Sequence, residues 1–438
     1  MRTDRRIVLI CGALIPSLRA VSEAALIRTG HSVMGYSAAM VVSRNYMISG
    51  AYIVPVESEP FEGNIVVTDG VIAALGEDVK LPAGHTEIDG AGRWLLPGLV
   101  DAHVHLGVHE EGEGWAGADV NETTDPVTAA ARAIDAINPH DVGFDDALAG
   151  GVTSVNVNPG SANAIGGLAV AIKTHGRIVD DMVLRSPSGV KSALGENPKR
   201  IYGEKKQTPN TRLGVAMTLR KAFAEARHWQ QKDPGERPAD LVSEALVAVL
   251  EREIPWRQHC HRADDIATAI RIADEFGYDL VLDHGTEAYK LADMLAEREI
   301  PVLYGPMIVS RSKVEVRDRL PAAPGILARA GVEVSIITDH PVVPIDFLIH
   351  QAALAVREGM EPDAALRAIT INPARVLGIE DRVGSLRVGK DADLVLWSGD
   401  PLDTRERVVR TWVSGVDVYS YDEESRQGKV APRWSASS

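Results

Sequence analysis

The stretch Leu95–Val108, LLPGLVDAHVHLGV, opens apolar and then presents Asp101, His103 and His105. The apolar opening reads as a strand buried on both faces. Side chains alternate along a strand with period two, so His103 and His105 share a face while Val104 points away. Paired imidazoles are poor core filler and good ligands for a divalent transition metal. Similar residues recur further on. His259 and His261 fall in QHCHRADD, His284 closes LVLDH, and Asp339 follows VSIIT. Lys191 lies in GVKSALGENPKR, with Glu196 in the same segment. Nitrogen and carboxylate donors of this kind suit metal-assisted hydrolysis.

These residues need rigid mounts. From about residue 96 to 378, short apolar strands alternate with helical patterns, the signature of βα units around a parallel sheet. Eight strands are expected: Gly98–His103, Val152–Val157, Leu168–Lys173, Gly189–Ala193, Trp256–Cys260, Leu280–Asp283, Pro301–Tyr304 and Val334–Thr338. That count predicts a (β/α)8 TIM-like barrel. Helices are expected over Thr211–Gln231, with Thr211 as cap and Leu213, Met217 and Phe223 among its alanines, and over Asp264–Phe276 and Glu287–Glu299. In such barrels chemistry sits at the C-terminal ends of the strands. The histidines and Asp339 fall at those ends.

Both flanks are β-rich. Residues 41–95 carry short runs broken by turns, with Asp69-Gly70 as a hairpin signal, and residues 379–422 look alike. The two flanks are expected to form one discontinuous β-sandwich, leaving residues 423–438 as a tail. In residues 1–40, Arg2, Arg5 and Arg6 precede IVLICGALIPSL, which loosely follows a secretory signal. Arg19 and Glu23 follow at once and no small-x-small cleavage site stands out, so this part is expected to be an extension.

The 438 residues are 45% apolar and carry a net charge of −15, which argues against nucleic acid as a partner. Two cysteines, Cys11 and Cys260, are too few for a disulfide framework and fit a reducing, cytoplasmic setting. No run approaches a membrane span. A homo-oligomer is the default expectation for a soluble enzyme.

At PGLVDAHVHLG, VKSALGENPK, HCHRADDI, DHGTEAY, TDHP and NPARVLGIEDRVGSLRVGKDADLVLW the chain resembles the amidohydrolase superfamily, in its imidazolonepropionase-like branch. The resemblance implies that His103, His105 and Asp339 bind one divalent ion and that His259 and His284 bind a second. Zinc is the first expectation; iron, manganese, cobalt and nickel suit the same donors. It also implies a bridging carbamylated Lys191. Glu196 stays open as the alternative bridge, although Lys191 has the more rigid mount. Strand direction does not choose between His259 and His261; the resemblance favours His259, leaving His261 to touch substrate and steady an oxyanion. Asp339 would act as general base and then general acid.

The implied reaction is hydrolysis of an amide or cyclic amide C–N bond in a small molecule. Deamination of a heterocycle is the alternative, but deaminase relatives usually carry a glutamate where Arg262 stands. A catalytically silent relative is a third reading, although every expected ligand type is present. Two loops bear on the substrate. Glu110, Glu111, Glu113 and Trp115 follow the first strand; Lys199, Arg200, Tyr202, Lys205 and Lys206 follow the fourth. Arg200, with Tyr202, could grip a substrate carboxylate, or the two loops could be solvated flaps that pair with each other. His31, His85, His140, His175, His228 and His350 read as structural histidines, and Cys260 as a buried small hydrophobe. His340 stays open between supporting the site and packing.

Overall fold

The computed structural model describes residues 44–433; the expected extension over residues 1–40, its signal-like run, Cys11 and His31 lie outside them. Eight strands form one sheet in sequence order: Leu99–Val104, Val152–Val157, Ile165–Lys173, Val183–Ala193, Trp256–Cys260, Leu280–His284, Val302–Tyr304 and Val334–Ile336. The first, second, fifth and sixth are buried along their whole length, because one side packs on helices and the other fills the interior. The sheet curls until its ends meet. The His105 N–H donates to the His340 carbonyl at 2.8 Å, and the Asp339 N–H donates to the His103 carbonyl at 3.2 Å. The result is a nearly closed barrel.

One strand corrects the expectation of a parallel sheet. Ile165–Lys173 runs antiparallel to both neighbours. Connections 158–164 and 174–182 are too short for a returning crossover, which takes about ten to twelve residues. The chain therefore turns back directly.

The helices show a phase error and a break. Helix Arg212–Gln230 starts where Thr211 accepts the Gly214 N–H, as expected of an N-cap. Its buried stripe, however, is Val215, Leu219, Phe223 and Ala226, while Leu213 and Met217 are exposed. Phe223 fixes that phase by packing on Trp256 and Tyr278, with ring centroids 4.7 and 5.0 Å away. The segment expected as one helix over Glu287–Glu299 is a 3-10 turn, Ala288–Leu291, followed by a short helix, Ala292–Glu297.

A second, nine-stranded sheet draws on both flanks. Its seam is Trp94–Pro97 against Leu394–Trp397, antiparallel, with Leu95 opposite Leu396. Ile48, Ile53, Ile65, Leu95, Leu394 and Trp412 make its separate core. Asp69 and Gly70 both have positive φ, the conformation that a tight two-residue hairpin turn requires. Residues 423–433 are not simply a tail: Gln427–Val430 pairs with Val416–Asp422. Lys173 of the barrel reaches across to Asp391 and Asp393 at 2.7 and 2.9 Å, tying the two sheets together. No helix among the described residues is long and apolar enough to cross a membrane.

Candidate metal centre

The ends of the first, fifth, sixth and eighth strands converge. Nε2 of His103 and Nε2 of His105 stand 3.4 and 3.3 Å from the same Asp339 oxygen. One ligand atom from each of the three residues lies within 4.8 Å of the others, which suits a single ion. His284 joins them, its ring centroid 4.9 Å from that of His103 and 4.4 Å from that of His259. His261 stacks edge-on against His259 at 4.7 Å. These five imidazoles and the Asp339 carboxylate form one cluster.

Two of these residues occupy costly backbone conformations. His284 has φ +72° and Asp339 has φ +55°. A non-glycine residue in this region costs of order 1–3 kcal/mol, and such strain concentrates at functional sites. The turn at His284 explains how consecutive residues both reach the centre: Asp283 faces inward from the strand, and the left-handed residue swings His284 back.

Neighbouring groups aim the rings. His105 Nδ1 lies 2.8 Å from the Asn158 carbonyl, and His284 Nδ1 lies 2.9 Å from the Gly305 carbonyl. A carbonyl accepts only, so each Nδ1 carries the proton and each Nε2 keeps its lone pair. Gly305 is required for this approach: its φ is +152°, and a Cβ there would meet the Ile337 carbonyl oxygen at 2.2 Å. His261 Nδ1 lies 2.7 Å from the Thr286 hydroxyl. Among the described residues, His259 Nδ1 and His261 Nε2 are buried without a hydrogen-bond partner. The open nitrogen of His259, in a cluster that holds a carboxylate, fits a divalent metal.

The electrostatics favour ligand forms at His259, His284 and Asp339. Burial drives His259 and His261 well below the ordinary histidine range; nearby His284 adds to this for His259, and Lys313 for His261. Burial takes His284 to about 3 despite the opposing pull of Asp339. All three are neutral near pH 7, the form that binds metal. Asp339 pays for burial too, but the surrounding histidines outweigh it and hold its pKa well below the usual carboxylate range. His103 is pushed down by burial and Lys191, and Asp283 and Asp339 reverse that into a net rise.

Lys191 is fully buried below the histidines. Its Nζ donates to Asp283 Oδ2 at 2.7 Å and lies 3.2 Å from His103 Nε2, while the same Asp283 oxygen is 3.1 Å from His103 Nδ1. Asp283 had no place in the sequence reading, because alternation there assigns only one of two adjacent residues to the interior. Arg257 lies opposite Lys191 in strand register, fully buried, with both terminal nitrogens unpartnered among the described residues. Glu196 is placed differently. It begins the helix Glu196–Glu204, its N–H donates to Glu315 at 2.8 Å, and it lines the cavity above the centre.

That cavity measures about 490 Å³ and reaches His105, His259, His261 and Asp339. Arg200 lines it and is exposed. Tyr202 does not reach it: the ring is fully buried and its hydroxyl donates to Asn163 at 2.6 Å, so the expected substrate contact gives way to support of the second-strand loop. Lys205 donates to the Thr123 carbonyl, and Trp115 is 93% exposed. The buried His340 ring packs near Gly143 with its nearest carboxylate, Glu111, at 3.8 Å. Cys260 is buried, as expected. Asn197, Thr286, Lys313 and Arg319 also line the cavity and were not singled out, since no spacing marks loop residues that fold back.

A nearly closed barrel with histidines and an aspartate gathered at its strand ends defines a class of barrel hydrolases. Residues 94–419 match the amidohydrolase family, and the chain belongs to it. The amidohydrolase tasK of Hapsidospora irregularis is 31% identical over 388 residues, covering 81% of this chain and 39% of its own length. The imidazolonepropionase of Mesorhizobium japonicum is 24% identical over 368 residues, covering 77% of this chain and 86% of its own. An amidohydrolase structure from Thermotoga maritima superposes with a TM-score of 0.84 at 45% identity, covering 86% of this chain and 100% of that one.

Proposed function

We propose that this chain is a metal-dependent amidohydrolase that cleaves an amide or cyclic amide C–N bond in a small molecule. The observation that carries the reading is the convergence of His103 and His105 on one Asp339 oxygen, with His259, His261 and His284 packed beside them. His103, His105 and Asp339 would hold one divalent ion. His259 and His284 would hold a second, with Lys191, carbamylated, between the two. Zinc suits this donor set. A divalent ion here supplies Lewis acidity and lowers the pKa of water so that hydroxide is available near pH 7.

The remaining steps fall to the side chains. Asp339, kept ionised by its histidines, accepts the proton of the attacking water and returns it to the leaving nitrogen. With Nδ1 of His261 accepting from the Thr286 hydroxyl, Nε2 carries the proton and donates to the developing oxyanion. The cavity walls hold the substrate and shed water from around it.

Metal content per chain, measured after purification with bicarbonate, tests the assignment. Near two ions, falling sharply in Lys191→Ala and unchanged in Glu196→Ala, is the expected result. Loss in Glu196→Ala instead moves the bridge to Glu196. No bound metal after reconstitution overturns the reading.

A further inference from the structure

One part of the cavity wall is basic. Lys313, in the segment that follows the strand Val302–Tyr304, is half-buried and lines the cavity. Its Nζ lies 3.4 Å from Asn197 Oδ1. The carboxylates of Glu315, Asp339 and Glu196 act on it through space, yet none among the described residues comes within ion-pair distance. Glu315 is instead engaged by Arg212 and the Glu196 N–H. Arg319 lines the same cavity: one end of its guanidinium donates to the Val309 carbonyl, while its Nε is buried without a partner among the described residues. An ammonium drawn out of water without a counter-charge is costly, and a ligand anion removes that cost.

The position of this cation is informative. The Asn197 side chain contacts both sides, with Oδ1 3.4 Å from Lys313 and Nδ2 3.4 Å from His259 Nε2. One asparagine side chain therefore spans the interval between the cation and the histidine cluster. A negative group docked on Lys313 sits only a few bonds from a group reacting at the centre. The carboxylates of Glu315, Asp339 and Glu196 already offset part of the positive charge of Lys313 and Arg319, so this wall matches a singly charged carboxylate better than a phosphate dianion. Arg200 is exposed, so water already satisfies it and its contribution is smaller.

The geometry points to Lys313, supported by Arg319, as the anchor for a substrate carboxylate. The substrate is then an amide with a carboxylate a few bonds from the scissile C–N bond, an N-acylated amino acid or a dipeptide. This inference rests on the amidohydrolase reading above for the bond that is cleaved, and on the cavity alone for the anchor.

Calorimetric binding of N-benzenesulfonylglycine and its carboxamide tests it, because the sulfonamide resists hydrolysis and binding is read without turnover. The metal-loaded protein is expected to bind the acid about tenfold more tightly than the carboxamide, the scale of a charge-assisted hydrogen bond. Lys313→Met should bring the two affinities within about twofold, and Lys313→Arg should restore most of the preference. Matching melting curves and metal content show that Lys313→Met is folded; if it does not fold, the Lys313→Arg preference and an Arg319→Met variant decide. Equal binding of acid and carboxamide, no binding of either, or a preference that survives both methionine variants overturns the anchor. A Lys313-dependent preference in a protein that hydrolyses no amide supports the anchor and overturns the proposed reaction instead.

Discussion

The carboxylate of Asp101 accepts both the backbone N–H and the hydroxyl of Thr338, at 3.0 and 2.6 Å. Its other oxygen accepts the His103 N–H at 3.1 Å. Asp101 thus joins the first strand to the eighth at the level where His103 and Asp339 meet. Burial raises its pKa to about 6, against the opposing effect of the Thr338 hydroxyl. A buried carboxylate in that position serves as a fastener between the strand that carries His103 and the one that leads into Asp339.

Thr338→Val keeps the volume and removes the hydroxyl, leaving Asp101 one donor short in a buried site. The expected loss of stability is about 1–3 kcal/mol. Because Thr338 precedes Asp339, metal affinity should fall as well. Urea denaturation and a metal titration check both effects. Unchanged metal affinity would show that the fastener serves stability alone.

Asp283→Asn addresses the residue beneath the centre. Asp283 holds both Lys191 and His103 Nδ1, so the substitution weakens the orientation of one ring and the placement of Lys191. Loss of such a supporting partner typically costs about 10–100-fold in metal affinity. The expected result is a drop of that size, measured with a competing chelator, with the circular dichroism of the fold retained. Wild-type affinity would mean that His103 is oriented without the charge of Asp283.

Much of this was legible in the sequence because the barrel strands are buried on both faces and so stand out as apolar runs. Alternation gives the shared face of His103 and His105 and that of His259 and His261, while His284 and Asp339 could be read only from their place at strand ends. The antiparallel third strand was not, since an apolar run carries no direction and only the short connections on either side imply the reversal. Asp283 and His284 show a second limit: both reach the centre because of a positive φ at His284, which no residue pattern announces. Tyr202 and Lys313 show a third. Loop residues carry no periodicity, so the tyrosine placed at the cavity is buried away from it, while the lysine that lines it went unmarked.

Asp339→Asn tests the proposed proton transfer. Asparagine tolerates the left-handed backbone at this position better than other non-glycine residues, so the fold should survive. The amide nitrogen can neither accept the water proton nor return it. Turnover of a substrate amide should fall by about 10²–10⁴-fold. The comparison is made on preparations matched for metal content, because Asp339 is also a proposed ligand. Equal turnover at equal metal content would remove Asp339 from the proton path.

Glu315 gives a pH dependence with a definite sign. Its side chain is buried beside the cavity segment, where burial, and then the nearby charge of Glu196, raise its pKa to about 7 despite Lys313 and Arg212. An unfolded glutamate ionises near about 4.3. Between those values the folded chain binds more protons than the unfolded one, so this group's contribution to stability falls as pH rises. Glu315→Gln cannot titrate. The stability of the variant relative to wild type should therefore climb from about pH 4.3 to about pH 7 and then level off, read from urea melts at several pH values. A difference that stays flat across that window would mean that Arg212 keeps Glu315 ionised throughout, and that the ion pair outweighs burial.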